Sequence, residues 1–117
     1  MIYTASSLAL SALEILASRA GELPDNYVAV SVEIPDDLSV ITMSEAILPP
    51  NWWSNPHLAK TRDLGTSWVS DLQSAVLSVP SAVIRQERNY ILNPAHPDFS
   101  RITFGDPEVF LWDADSA

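Results

Sequence analysis

Ser7, Ser11, Glu14 and Ser18 recur at spacings of four, three and four, which places them on one stripe of an α-helix. Glu14 is the only ionisable residue in SSLALSALEILAS. Two readings of its carboxylate stay open: it sits on the solvated edge of an amphipathic helix, or it works against a ligand. The small serines beside it, in place of the Lys and Glu of an ordinary exposed face, leave room for something to approach. Other chemistries are closed off by counting. With no cysteine there is no disulfide, no thiol nucleophile and no thiolate zinc site. Two histidines, His57 and His96, are too few for a histidine metal cluster, and neither stands in a convincing Ser-His-Asp context. Counting does not exclude a carboxylate site, but no metal is expected.

The elements that must carry these residues follow from local signals. Met1–Thr4 reads as the tail of a strand. Ser6 or Ser7 is a plausible N-cap for a helix running to about Arg19, with Gly21 as its stop. YVAVSVEI alternates as a strand does, with Val28, Val30 and Val32 on one face, and closes at Pro35-Asp36-Asp37; LSVITM is a second short strand. ILPPNWWSNPHLAK is a loop because Pro49, Pro50 and Pro56 forbid regular structure, and Trp52 and Trp53 in it read as packing or interface aromatics. The spacing of Leu64, Trp68 and Leu72 predicts a helix over 61–73 that tolerates Gly65. AVLSVPSAVI reads as a buried strand broken at Pro80, ERNYILNPAHPDF as a turn-rich segment, and RITF and EVFLW as closing strands. The sum is an α+β domain with a small mixed sheet and a few helices, without regular βαβ alternation.

At 117 residues the chain is one domain, 1–117, and 47% apolar against 18% charged residues suits a packed globule. Six basic against fifteen acidic residues give a net charge of −9, which repels a phosphate backbone, so no direct nucleic-acid binding is expected. The apolar run from Leu8 to Ala17 is interrupted by Glu14 and falls short of the roughly 20 residues that cross a bilayer. Without a basic leader, a soluble cytoplasmic protein is the expectation.

The pieces IYTASSLALSALEIL, VEIPDDLSV, LPPNWWSNP, TRDLGTSWV and VPSAVIRQERNYILNPAHPDFSRI, in that order, resemble the RES domain. That family is the toxin half of a bacterial toxin–antitoxin pair. The resemblance covers nearly the whole chain, and the run VPSAV followed by ERNYILNPAHPDF is its most specific part. It implies a fold related to diphtheria-toxin-type ADP-ribosyltransferases and an activity that degrades NAD+ by hydrolysis or phosphorolysis of the nicotinamide–ribose bond. NAD+ is then substrate, and no cofactor is implied.

Carried across residue by residue, Glu14 matches the family glutamate, a carboxylate that stabilises an oxocarbenium-like transition state near the ribose. Ser81 in VPSAV matches the family serine, whose hydroxyl can bind substrate or orient the glutamate; as a serine after proline it is equally a turn residue. Tyr3 matches the tyrosine of the family's YTA segment, where a ring can stack on nicotinamide, against the alternative of an ordinary strand aromatic. Asn89 and Asn93 are candidates for holding NAD+; with His96 they also suit a structural role in bracing the site loop, because Asn before Pro is turn chemistry. A Xre-type helix-turn-helix antitoxin and a homodimer are the implied partners, with no membrane contact.

The match breaks at the start. The family's signature arginine belongs to a Gly-Arg-Trp segment upstream of the YTA tyrosine, preceded by another strand and a second arginine, and Tyr3 is already the third residue here. Arg19, Arg62, Arg85, Arg88 and Arg101 occupy other positions in the pattern. The expectation is a RES domain lacking its first strand or strands, with an in-frame upstream coding stretch if the start is mis-called. An exposed sheet edge and poor solubility would follow. An inactive truncated remnant, acting only as a protein-binding module, is the alternative function.

Overall fold

The computed structural model of the chain describes residues 1–18, 27–48, 52 and 59–110. Arg19, Gly21, Trp53 and His57 therefore lie outside the described residues. The strands are β1 (Ile2–Ala5), β2 (Val28–Ala29), β3 (Val32–Glu33), β4 (Val40–Thr42), β5 (Val76–Pro80), β6 (Arg88–Leu92), β7 (Thr103–Phe104) and β8 (Glu108–Val109). Two α-helices join them, α1 (Leu8–Ser18) and α2 (Ala59–Ser70). A mixed four-stranded sheet runs in the order β1-β6-β5-β4, antiparallel except for the parallel β4–β5 pair, and two ribbons pair β2 with β8 and β3 with β7. This is the expected α+β arrangement, with β1 at one edge of the sheet.

The two faces of the sheet bury different sets of residues. On one, Val76 and Leu92 meet Leu38, Ala75 and Ile102, with Val32, Ile34, Tyr90 and Phe99 packed around them. On the other, Leu77 and Ile91 meet Trp68 of α2. A strand buried on both faces reads as a near-continuous apolar run rather than an alternation, and β5 (VLSVP) does so apart from the buried Ser78. Pro80 closes it, paired with Arg88 at the last rung.

Four local expectations change. The segment around Asn89 is not wholly turn: Arg88–Leu92 is a central strand, because Tyr90, Ile91 and Leu92 complete the sheet and the turn chemistry acts only from Asn93-Pro94 onward. YVAVSVEI splits into β2 and β3, and Val32 turns inward while Val28 and Val30 stay exposed. The slip falls at Ser31, whose carbonyl accepts from Gly105 N at 2.8 Å; a Cβ at position 105 would meet Ser31 Oγ, so a larger residue there would turn the serine side chain to another rotamer. Of RITF, Arg101 belongs to a 3₁₀ turn over Pro97–Arg101 and only Thr103–Phe104 is strand. Finally α2 stops at Ser70, and Leu72 lies outside it, 44% exposed with φ of 51°, in the left-handed turn that ends the helix.

Gly65 stays inside α2, and a Cβ built there meets nothing within 4 Å. Gly65→Ala is therefore expected to raise the unfolding free energy by about 0.8–1 kcal/mol through helix propensity alone, measurable as a higher urea midpoint at unchanged m.

Candidate active site

Helix α1 begins where its cap dictates: Ser7 Oγ accepts from Leu10 N at 3.1 Å. Glu14, two turns on, faces the sheet and is half-buried. Among the described residues its carboxylate has two donors. Ser81 Oγ donates to Oε1 at 3.0 Å, and Asn89 Nδ2 donates to Oε2 at 3.0 Å. Ser81 directly follows β5, is fully buried, and uses its Oγ to accept from Val83 N (3.1 Å) and Ile84 N (3.2 Å). Its own N–H donates to Glu87 O at 2.9 Å, closing the β5–β6 connection. Asn89, on β6 opposite Val79 and Ala5, donates from the same Nδ2 to Thr4 O at 3.1 Å. The β5–β6 connection and β6, 67 and 75 residues along from Glu14, thus converge on its carboxylate.

Tyr3 projects from the edge strand at 69% exposure and borders a cavity of about 600 Å³. Ser7 and Ser11 of the stripe line it, with Tyr27, Tyr90 and Phe110 opposite; Glu14, Ser81 and Asn89 do not. The cavity and the carboxylate share helix α1, Ser11 and Ile15 lining the one and Glu14 carrying the other. The charged side chains among its described lining are Asp106 and Glu108.

Asn93 is not part of the cluster. It is buried about 13 Å along from Asn89, its Nδ2 donates to Val69 O at 3.2 Å and its Oδ1 accepts from Ala95 N, so both ends of the amide tie the end of β6 to α2 and the following turn. His96 Nδ1 caps the 3₁₀ turn by accepting from Asp98 N at 3.0 Å. Arg88 binds β4 and β5 together: Nε donates to Ser78 Oγ, and one Nη to Met43 O and Ser78 O. Arg101 pairs with Asp37. Trp52 is buried, as a packing residue would be. Among the described residues no group of three His, Asp or Glu side chains could hold a metal ion, and no helix is long and apolar enough to cross a membrane.

The family model for the RES domain matches residues 1–113. The chain belongs to the RES domain family. This RES chain is 34% identical over 116 residues to the "Prs ADP-ribosylating toxin" of a Sphingobium species, a match covering 97% of the chain and 72% of that protein. It is 35% identical over 99 residues to "Toxin Res" of Yersinia enterocolitica, covering 84% of the chain and 64% of that toxin. A third relative, "Toxin Res" of Pseudomonas putida, is 34% identical over 103 residues, with 83% and 66% covered. The RES chain therefore spans about two thirds of the length of these relatives.

The Thr4 carbonyl is the participant that residue-by-residue reading misses. A main-chain oxygen carries no sequence signal, and only the β1–β6 register brings it to Asn89.

Proposed function

We propose that this RES chain is a toxin domain that cleaves the nicotinamide–ribose bond of NAD+, with Glu14 as its catalytic carboxylate. The observation that carries this reading is the fixing of both Glu14 oxygens by Ser81 and Asn89, on the helix whose Ser11 and Ile15 line the cavity that Tyr3 borders. A cavity of about 600 Å³ is in the range that small-molecule sites occupy. When the C1′–N1 bond breaks, its electron pair goes to the pyridinium nitrogen, so nicotinamide leaves neutral and needs no acid. The positive charge stays on the ribose, and a fixed carboxylate with lone pairs still free stabilises it directly or through the 2′-hydroxyl. Tyr3, its ring open to solvent, stacks on the nicotinamide. Water as acceptor gives ADP-ribose and a proton; phosphate gives the corresponding 1″-phosphate. The name of the Sphingobium relative, "Prs ADP-ribosylating toxin", adds transfer of the ADP-ribosyl group to another molecule's nucleophile as a third outcome.

In the same reading the domain has the ADP-ribosyltransferase-like fold, acts in the cytoplasm as a homodimer, leaves nucleic acid to its partner, and is neutralised by a Xre-type antitoxin. The −9 charge suits a partner that supplies the DNA-binding surface. A second reading, a binding module without turnover, draws on the arginines. Arg88 and Arg101 are engaged within the fold, and no Lys or Arg stands among the described lining of the cavity. Chromatography of NAD+ incubated with the chain, with and without phosphate, separates the two. Nicotinamide accumulating with time is the expected result; none from a folded chain, and none from a form extended upstream through a Gly-Arg-Trp segment, establishes the binding module.

A further inference from the structure

Hydrogen-bond capacity separates groups that touch a substrate from groups that hold another group still. The Ser81 hydroxyl has one proton and two lone pairs. The proton goes to Glu14 Oε1, and the lone pairs receive Val83 N and Ile84 N. Nothing remains for a ligand, and the side chain is fully buried. Asn89 is committed in the same way as a donor. Its Nδ2 carries two protons and has two acceptors, Thr4 O and Glu14 Oε2. The amide orientation is fixed by chemistry, because a carbonyl and a carboxylate can both be met only by the NH₂ end.

We infer that Ser81 and Asn89 are positioning residues that act on the reaction through Glu14, with neither the Ser81 hydroxyl nor the Asn89 amide NH₂ contacting NAD+. This rests on the proposed role of Glu14. It replaces a catalytic Ser81 and an NAD+-binding Asn89 with a single clamp. The clamp also joins elements: Ser81 carries the β5–β6 connection, and Asn89 carries β1 through Thr4 O, so the carboxylate is referenced to both. With one donor on each oxygen, rotation about the last side-chain torsion of Glu14 would break both bonds at once. The remaining lone pairs then point in one set direction, and a displacement of about 1 Å can cost roughly 100-fold in rate.

The test is a double-mutant cycle on nicotinamide release, joined to a spectrum that needs no turnover. Ser81→Ala and Asn89→Ala should each lower kcat about 10–100-fold with KM within about twofold. In the Glu14→Ala background, where nothing is left to position, each should change the residual rate less than about twofold. Losses that multiply in the double variants, or a rise in KM alone, would show direct substrate contact and overturn the inference. In ¹⁵N-labelled chain, Glu14→Ala should move one of the two Asn89 side-chain amide proton resonances upfield and leave the one facing Thr4 O in place. Two unmoved resonances would also overturn it. If no variant or parent, nor the form extended upstream, turns over NAD+, the proposed function fails while the spectrum still decides the clamp. Ser81→Ala leaves β1 untouched, so it decides the kinetic arm should Asn89→Ala not fold.

Discussion

Glu14→Gln should reduce nicotinamide release from NAD+ by roughly 10²–10³-fold, the scale lost when one preorganised electrostatic contact to a developing charge is removed. Glutamine keeps the shape of the side chain and removes the charge. It also creates a conflict, because both neighbours of the carboxylate are donors. One of them, Ser81 or Asn89, must now face an NH₂ group, and the cost to stability is about 1–2 kcal/mol, small beside the loss of rate. A urea titration run beside the assay distinguishes them. A variant that is folded and as fast as its parent would remove Glu14 from the chemistry and return it to the solvated edge of its helix.

The second large effect is on the fold that carries the site. Trp68 is 2% exposed, packs on Leu77 and Ile91, and donates its indole N–H to Ser74 Oγ at 2.9 Å, while that hydroxyl donates to Val76 O at 2.6 Å. Trp68→Ala should cost about 3–5 kcal/mol, the usual range for a buried large aromatic, out of a total of about 5–15 kcal/mol. Trp68→Phe keeps most of the packing, leaves Ser74 without its donor, and should cost about 1–3 kcal/mol. Denaturant midpoints give both. A loss under about 1 kcal/mol for the alanine variant would mean that α2 does not seat on the sheet as described. Ile91 lies two residues from Asn89 on β6 and its side chain points to the same side, so loosening this cluster also loosens the strand that holds the glutamate.

Legibility in the sequence follows the range of the interaction concerned. A cap acts within three residues, so the start of α1 could be read to Ser6 or Ser7, of which Ser7 is the cap; Pro80 ends β5 because it has no N–H to give the ladder, and that position could be read directly. The serine stripe placed Glu14 on a helix face, and the order of motifs placed the chain among RES domains. Which face met water was another matter. Ser81 and Asn89 lie 67 and 75 residues from Glu14, and nothing within a few residues of any of them encodes the meeting. The same holds for Asn89 in a central strand, where a poor strand former is accommodated because its amide has two acceptors in the fold. Leu72 continued the apolar spacing of α2 yet fell beyond the helix end, and Val32 continued the alternation of Val28 and Val30 yet turned inward. The start of α1 to within one residue, the end of β5, the charge and the family could all be read along the chain, because they depend on near neighbours or on motif order. The partners of the Glu14 carboxylate could not, because sheet register and helix docking bring residues distant along the chain to 3.0 Å from it.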